Sequence, residues 1–195
     1  MKPGFAEPVF DSQVGFSALM QAMARPGRIQ RCQMLRDLPD GLEPAAAAAL
    51  LTLADAETPV WTDTQGEARE WIAFHTGAPL VAEPVRAQFL LATRSMPELA
   101  ALDPGTDETP QDSATLILQV EALDDVSGWW LTGPGIETTH RLSAHGLPAD
   151  FLAQWNANTA RFPRGVDLIL CAGERLAALA RTTRILEPTL LPENG

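Results

Sequence analysis

Apolar residues recur along this chain in two rhythms. From Asp11 to Ala24, DSQVGFSALMQAMA, the residues Phe16, Leu19, Met20 and Met23 return at helical spacing. That predicts a helix burying these four side chains, capped by Asp11 or Ser12 and ended by Arg25-Pro26-Gly27. Pro44 opens a second helix, AAAAALLTLAD. Its alanines cost little side-chain entropy and permit close approach to a neighbour, in the core or at a two-fold interface. Glu67 to His75 predicts a third helix that buries Trp71, Ile72 and Phe74 and stops at Gly77 and Pro79. Pro148 to Ala157 predicts a fourth, with Phe151, Leu152 and Trp155 on one side.

The second rhythm is that of strands. Thr58 to Trp61 and Val85 to Thr93 read as strands, and the run Phe89-Leu90-Leu91-Ala92 suits one covered on both sides. Ala114 to Leu123, ATLILQVEAL, is the clearest strand. Trp129 to Thr132 and Thr138 to Leu142 form a ribbon around a tight turn at Gly133-Pro134-Gly135. Val166 to Cys171 and Leu176 to Ala180 close the series as a hairpin turning at Gly173-Glu174-Arg175. Helical and strand segments alternate, and no long linker or repeat divides them. The pattern predicts one domain spanning 1–195, an α/β chain with a mixed sheet in an α/β/α sandwich. Residues 1–10 and 188–195 are expected to be flexible termini.

Composition narrows the chemistry. Lys2 is the single lysine and tyrosine is absent. A Schiff base to pyridoxal phosphate, or a Walker-type phosphate lysine, has no candidate unless the extreme N-terminus folds into a site. The chain carries 25 acidic and 14 basic residues, a formal net charge of −11. That argues against extended contact with nucleic acid or an anionic membrane, and leaves a local phosphate site open. The N-terminus, MKPGFAEPVFD, has no apolar signal core, and a cytoplasmic location is expected. His75, His140 and His145 show neither HxH nor HExxH spacing, and no metal is expected.

Cys171 precedes Ala172-Gly173 in an apolar strand. It reads as a small buried hydrophobe rather than a nucleophile, since no histidine lies near it in sequence. Arginines carry more weight. Arg25, Arg28 and Arg31 surround the end of the first helix, while Arg181 and Arg184 flank Thr182 and Thr183. Guanidinium forks and hydroxyls suit phosphate or carboxylate, and equally suit salt bridges within the chain or with a partner. The candidates for ligand or partner binding are Arg175, Arg181, Thr182 and Thr183. No catalytic acid, base or nucleophile stands out.

The blocks AMxxPG, LLTLADxxTPVW, FHTxAPL, ATLILQV, LTGPGI, FPxGVDLIL, CAGER and RTT occur here in that order, from about Pro8 to Glu187. Their succession resembles the PhnH family, a component of the carbon–phosphorus lyase core complex. The resemblance implies a bacterial role in phosphonate catabolism and a fold similar to that of pyridoxal-phosphate-dependent transferases, without the cofactor. It implies a homodimer, and assembly with the PhnG, PhnI and PhnJ components of the carbon–phosphorus lyase. It also implies functional association with the PhnL component in making ribose 1-methylphosphonate 5-triphosphate from ATP and methylphosphonate. On that reading the chain is a binding and assembly subunit, not catalytic alone. The alternative is that it holds nucleotide or phosphonate and shares in the transfer chemistry. One departure is visible: Ser17 follows Phe16 where the family pattern leads one to expect arginine.

Overall fold

Apolar runs such as FLLA and LILCA send alternate side chains to opposite faces, so a sheet built from them must be covered twice. The computed structural model describes residues 1–186 and places these runs at the centre of the molecule. The expected C-terminal tail, 188–195, lies outside the described residues.

In chain order the elements are helix α1 (Pro8–Ala24), strand β1 (Gln30–Arg31), helix α2 (Pro44–Leu53) and strand β2 (Val60–Thr62). Helix α3 (Gly66–Thr76) and strands β3 (Phe89–Ala92), β4 (Thr115–Gln119), β5 (Ala122–Thr132) and β6 (His140–His145) follow. Helix α4 (Phe151–Thr159) and strands β7 (Asp167–Ala172), β8 (Arg175–Leu179) and β9 (Arg184–Leu186) complete the described chain. Six strands form one sheet in the order β1-β8-β7-β4-β3-β2. Strands β2, β3, β4 and β7 run parallel; β8 returns antiparallel to β7, and β1 antiparallel to β8. Mixed α/β architecture is therefore present as expected.

The two faces bury different sets. Leu91, Ile117, Ile169, Cys171, Leu176 and Ala178 face α1, α2 and α3. Leu90, Leu116, Leu118, Leu168, Leu170 and Ala177 face the other way, towards Trp155, Phe151 and Leu131. Here the α/β/α expectation is corrected. The second cover is a three-stranded antiparallel sheet, β6-β5-β9, together with the single helix α4. Leu123, Leu131, Leu142 and Ile185 line the inner face of that small sheet, an apolar surface broad enough to pack sheet on sheet.

Helix α1 also differs from expectation. It begins three residues before Asp11, at Pro8, whose fixed φ is preorganised for a first turn. Its buried stripe is Gly15, Leu19 and Ala22, while Phe16 and Met20 are each 52% exposed. The stripe of small residues wins because it lets α1 approach α2: a Cβ on Gly15 would overlap Thr52 Oγ1. Ala45 through Ala49 are all buried between α1, α3 and the sheet, which commits α2 to the core and removes it as a two-fold interface. Phe74, expected inside α3, is 69% exposed. The glycine turn has a packing reason as well. A Cβ on Gly135, whose φ is +81°, would strike the Ala24 carbonyl oxygen, so the turn presses against the end of α1.

Both cysteines are buried and unpaired. Burial pushes the Cys32 thiol up to about 11 and, with Cys32 and Glu43 adding smaller effects, pushes Cys171 well above its ordinary value. A thiol this far from ionisation is a packing group. Ellman's reagent at about pH 8 is expected to titrate neither cysteine in the native protein and both in denaturant. Cys171→Ala is expected to cost ~1 kcal/mol in denaturant unfolding and to leave function intact. Rapid native labelling of Cys171 would show an accessible thiolate instead.

Candidate functional site

Parallel strands share one carboxyl edge, and in open α/β sheets that edge is where ligands bind. Here it is formed by the exits of β2, β3, β4 and β7. Much of it is tied down internally. The Asp63 carboxylate accepts from the Thr93 amide and hydroxyl, both at 2.9 Å, and from the Arg94 amide at 3.0 Å. The Gln119 side chain accepts from the Glu43 amide at 2.9 Å and donates to the Gly41 carbonyl at 3.0 Å. Glu43 in turn accepts from the Gly173 amide at 2.7 Å, and Ala45 N–H donates to the Gly173 carbonyl at 2.9 Å. The N-terminus of α2 is thus docked on the β7–β8 turn, where the Glu43 and Ala45 amides and the Glu43 carboxylate already have partners.

Arg175 begins β8 at this edge and is exposed. Directly opposite it in the antiparallel register stands Arg31, also exposed. A shallow cavity of about 340 Å³ lies between Arg31, Ala172, Gly173, Glu174 and Arg175. The pairing of Arg31 with Arg175 had no signal in the sequence beyond the presence of two arginines, because β1 is only two residues long.

Arg181 lies elsewhere. Strand β8 is extended, and the six steps from Arg175 to Arg181 span roughly 20 Å. The two arginines therefore do not converge. The Arg181 backbone amide donates to Asp167 Oδ1 at 2.7 Å. Its guanidinium holds both Asp167 oxygens and the Pro110 carbonyl. This ion pair is only about 15% exposed on each side and stitches the end of β8 to the start of β7 and to the loop at Pro110. Asp167, the one acid in VDLIL, was the overlooked member, and an acid opening an otherwise buried strand is the signal that could have found it.

Thr182 lines a cavity of about 630 Å³ with Arg181, Arg184, Asn156, Phe162 and Gly133. The Gly133-Pro134 turn is therefore both a turn and part of a cavity wall. Thr183 is not in that wall. It is fully buried, its carbonyl accepts from Trp155 Nε1 at 2.9 Å, and its hydroxyl has no partner among the described residues.

The histidines stay apart. His75 Nε2 bonds the Lys2 carbonyl at 3.1 Å, and His140 Nδ1 bonds the Pro26 carbonyl at 2.7 Å. Among the described residues no cluster of His, Cys, Asp or Glu is placed to hold a metal ion. Lys2 donates to the Leu38 carbonyl at 2.7 Å and pairs with Asp37 at 3.2 Å. Among the described residues no helix is long and apolar enough to cross a membrane.

Comparison with known proteins gives this geometry a family. The family model for "Bacterial phosphonate metabolism protein (PhnH)" matches residues 3–186. The chain is 41% identical over 186 residues to the "Alpha-D-ribose 1-methylphosphonate 5-triphosphate synthase subunit PhnH" of Rhizobium meliloti (strain 1021), covering 93% of each chain. It is 32% identical over 177 residues to the "Putative C-P lyase subunit protein HtxG" of Stutzerimonas stutzeri, covering 89% of this chain and 85% of that one. Nearly the whole described chain, from residue 3 to the end of β9, falls inside the family match, and it belongs to the PhnH family of bacterial phosphonate metabolism proteins.

Proposed function

We propose that this protein is the PhnH component of an α-D-ribose 1-methylphosphonate 5-triphosphate synthase, acting in phosphonate catabolism within a carbon–phosphorus lyase complex. The 41% identity to such a component, over 93% of both chains, carries this reading. Its place is beside PhnG, PhnI and PhnJ, with PhnL joining for triphosphate formation, in the cytoplasm and as a homodimer. It serves chiefly to bind and assemble, and the transfer chemistry belongs to its partners.

Three features of the chain support an assembly role. Cys171 is buried and its thiol is held protonated. Arg181 is spent on Asp167 and Pro110. Helix α1 turns Val9, Phe10, Phe16 and Met20 outwards, an apolar stripe of the kind that marks protein contact. The fold is further proposed to resemble that of pyridoxal-phosphate-dependent transferases. A parallel β2-β3-β4-β7 block with antiparallel β8 beside it supports that likeness. Lys2, paired with Asp37, explains chemically why the cofactor would be absent.

Reconstitution tests the proposal. Purified PhnG, PhnI and PhnL with this chain should convert ATP and methylphosphonate to the triphosphate, followed by phosphorus NMR. Omitting the chain should abolish product. Full activity without it, or turnover by the chain alone, would contradict the assignment.

Arg181→Ala separates assembly from chemistry. Removing one partner of this largely buried pair is expected to destabilise the chain by about 3 kcal/mol. Any complex that still assembles, by native mass spectrometry, should form product within a few-fold of wild type. Normal stability and stoichiometry with product formation reduced about a hundredfold, some 2.7 kcal/mol of transition-state stabilisation, would make Arg181 catalytic.

A further inference from the structure

Arg31 and Arg175 oppose each other in the β1–β8 pair. The next residue along, Cys32, donates its amide to the Glu174 carbonyl at 2.7 Å. That bond makes Arg31–Arg175 a pair without mutual backbone hydrogen bonds, the closer kind, with Cα atoms about 4.5 Å apart. Directly opposed residues share a face, so the two arginine side chains leave one edge of the sheet on the same side. Like charges in this relation destabilise a sheet. On a chain with 25 acids, relief by a neighbouring carboxylate would be easy, yet neither arginine makes an ion pair among the described residues. Two acids stand near and both keep their charge: hydrogen bonds from Ser127 and Val126, and more weakly the charge of Arg175, hold the Asp124 carboxyl below its ordinary value, but neither acid closes to an ion pair. Glu174 lines the same cavity, but its carboxylate accepts from Gln33 Nε2 at 2.7 Å. Asp124 takes the Ser127 hydroxyl at 2.6 Å and the Val126 amide at 2.8 Å. The cavity between the arginines, about 340 Å³, opens at the carboxyl end of β7, the side of a parallel sheet where ligands bind.

We propose that Arg31 and Arg175 form a clamp for a phosphoryl group, and that the ligand is a small polyphosphate-bearing molecule. Two guanidinium forks offer about ten N–H donors, more than the roughly four acceptor sites of one carboxylate can use. Adjacent phosphoryl groups supply oxygens in the number and spread that two forks require. The clamp rests on the reading of this chain as part of a triphosphate synthase, and gives it a direct part in holding the polyphosphate rather than in cleaving any bond.

The test uses the isolated full chain, so its outcome is independent of reconstitution with partners. Inorganic pyrophosphate and tripolyphosphate are titrated calorimetrically at low salt into wild type, Arg31→Gln, Arg175→Gln, the double variant, and Arg69→Gln as a control on α3. Binding should weaken at least tenfold in each single variant, vanish in the double variant and persist in the control. Thermal melts supply a second readout. Without ligand, these exposed substitutions should leave the melting temperature close to that of wild type; with pyrophosphate, wild type and the control should gain most and the double variant nothing. Undiminished binding in the double variant overturns the clamp. So does absence of binding to wild type at millimolar pyrophosphate, including the case in which the same variants impair assembly with the partner proteins, which would mark the pair as a contact for an acidic protein surface.

Discussion

Burial of both faces of β4 and β7 is the constraint on which the rest of the structure depends. Leu116, Leu118, Leu168 and Leu170 on one side, and Ile117, Ile169 and Cys171 on the other, are almost wholly removed from water. Each buried leucine or isoleucine side chain contributes on the order of 2 kcal/mol, so neither face can be left open. Three helices answer one face and the β5–β6–β9 sheet with α4 answers the other. With both faces closed, polar chemistry on the main sheet is confined to its strand ends. The amino end carries the Arg181–Asp167 stitch, and the carboxyl end carries the β7–β8 turn with Arg175.

The two ends use arginine for opposite purposes. At the amino end a bidentate pair with Asp167 and a bond to the Pro110 carbonyl leave the guanidinium of Arg181 committed to the fold. At the carboxyl end Glu43 and Gln119 seal the α2 terminus against Gly173, and what remains is a cavity beside two exposed arginines that make no ion pair among the described residues. Two arginines face each other there on a chain of formal net charge −11, with the Glu174 carboxylate in the same cavity. On the clamp proposal a polyphosphate would give the two guanidinium groups a shared partner.

Much of this architecture was legible from periodicity. The runs around Phe89, Ile117 and Ile169 became buried strands, and the helices at Pro44, Glu67 and Phe151 appeared near their expected places. What escaped was set by contacts rather than by local pattern. Strand β1 is a Gln-Arg pair that exists because β8 offers it an edge. Helix α1 is turned about a quarter of a revolution from its expected face, because Gly15 and Ala22 permit close packing that Phe16 and Met20 would block. The arginines were misgrouped for a similar reason. Arg175 and Arg181 are close in sequence but sit at opposite ends of an extended strand, whereas Arg31 reaches Arg175 only through sheet pairing.

The two ends of β8 divide the labour, one holding the fold and the other, on the clamp proposal, holding phosphate. A structure of the chain assembled with its partner proteins and with the triphosphate product bound measures this most directly. Phosphoryl oxygens are expected within hydrogen-bond reach of Arg31 and Arg175, with Arg181 still seated on Asp167. Phosphate seated on Arg181 and Thr182, with Asp167 released and the Arg31–Arg175 edge unoccupied, would contradict that division.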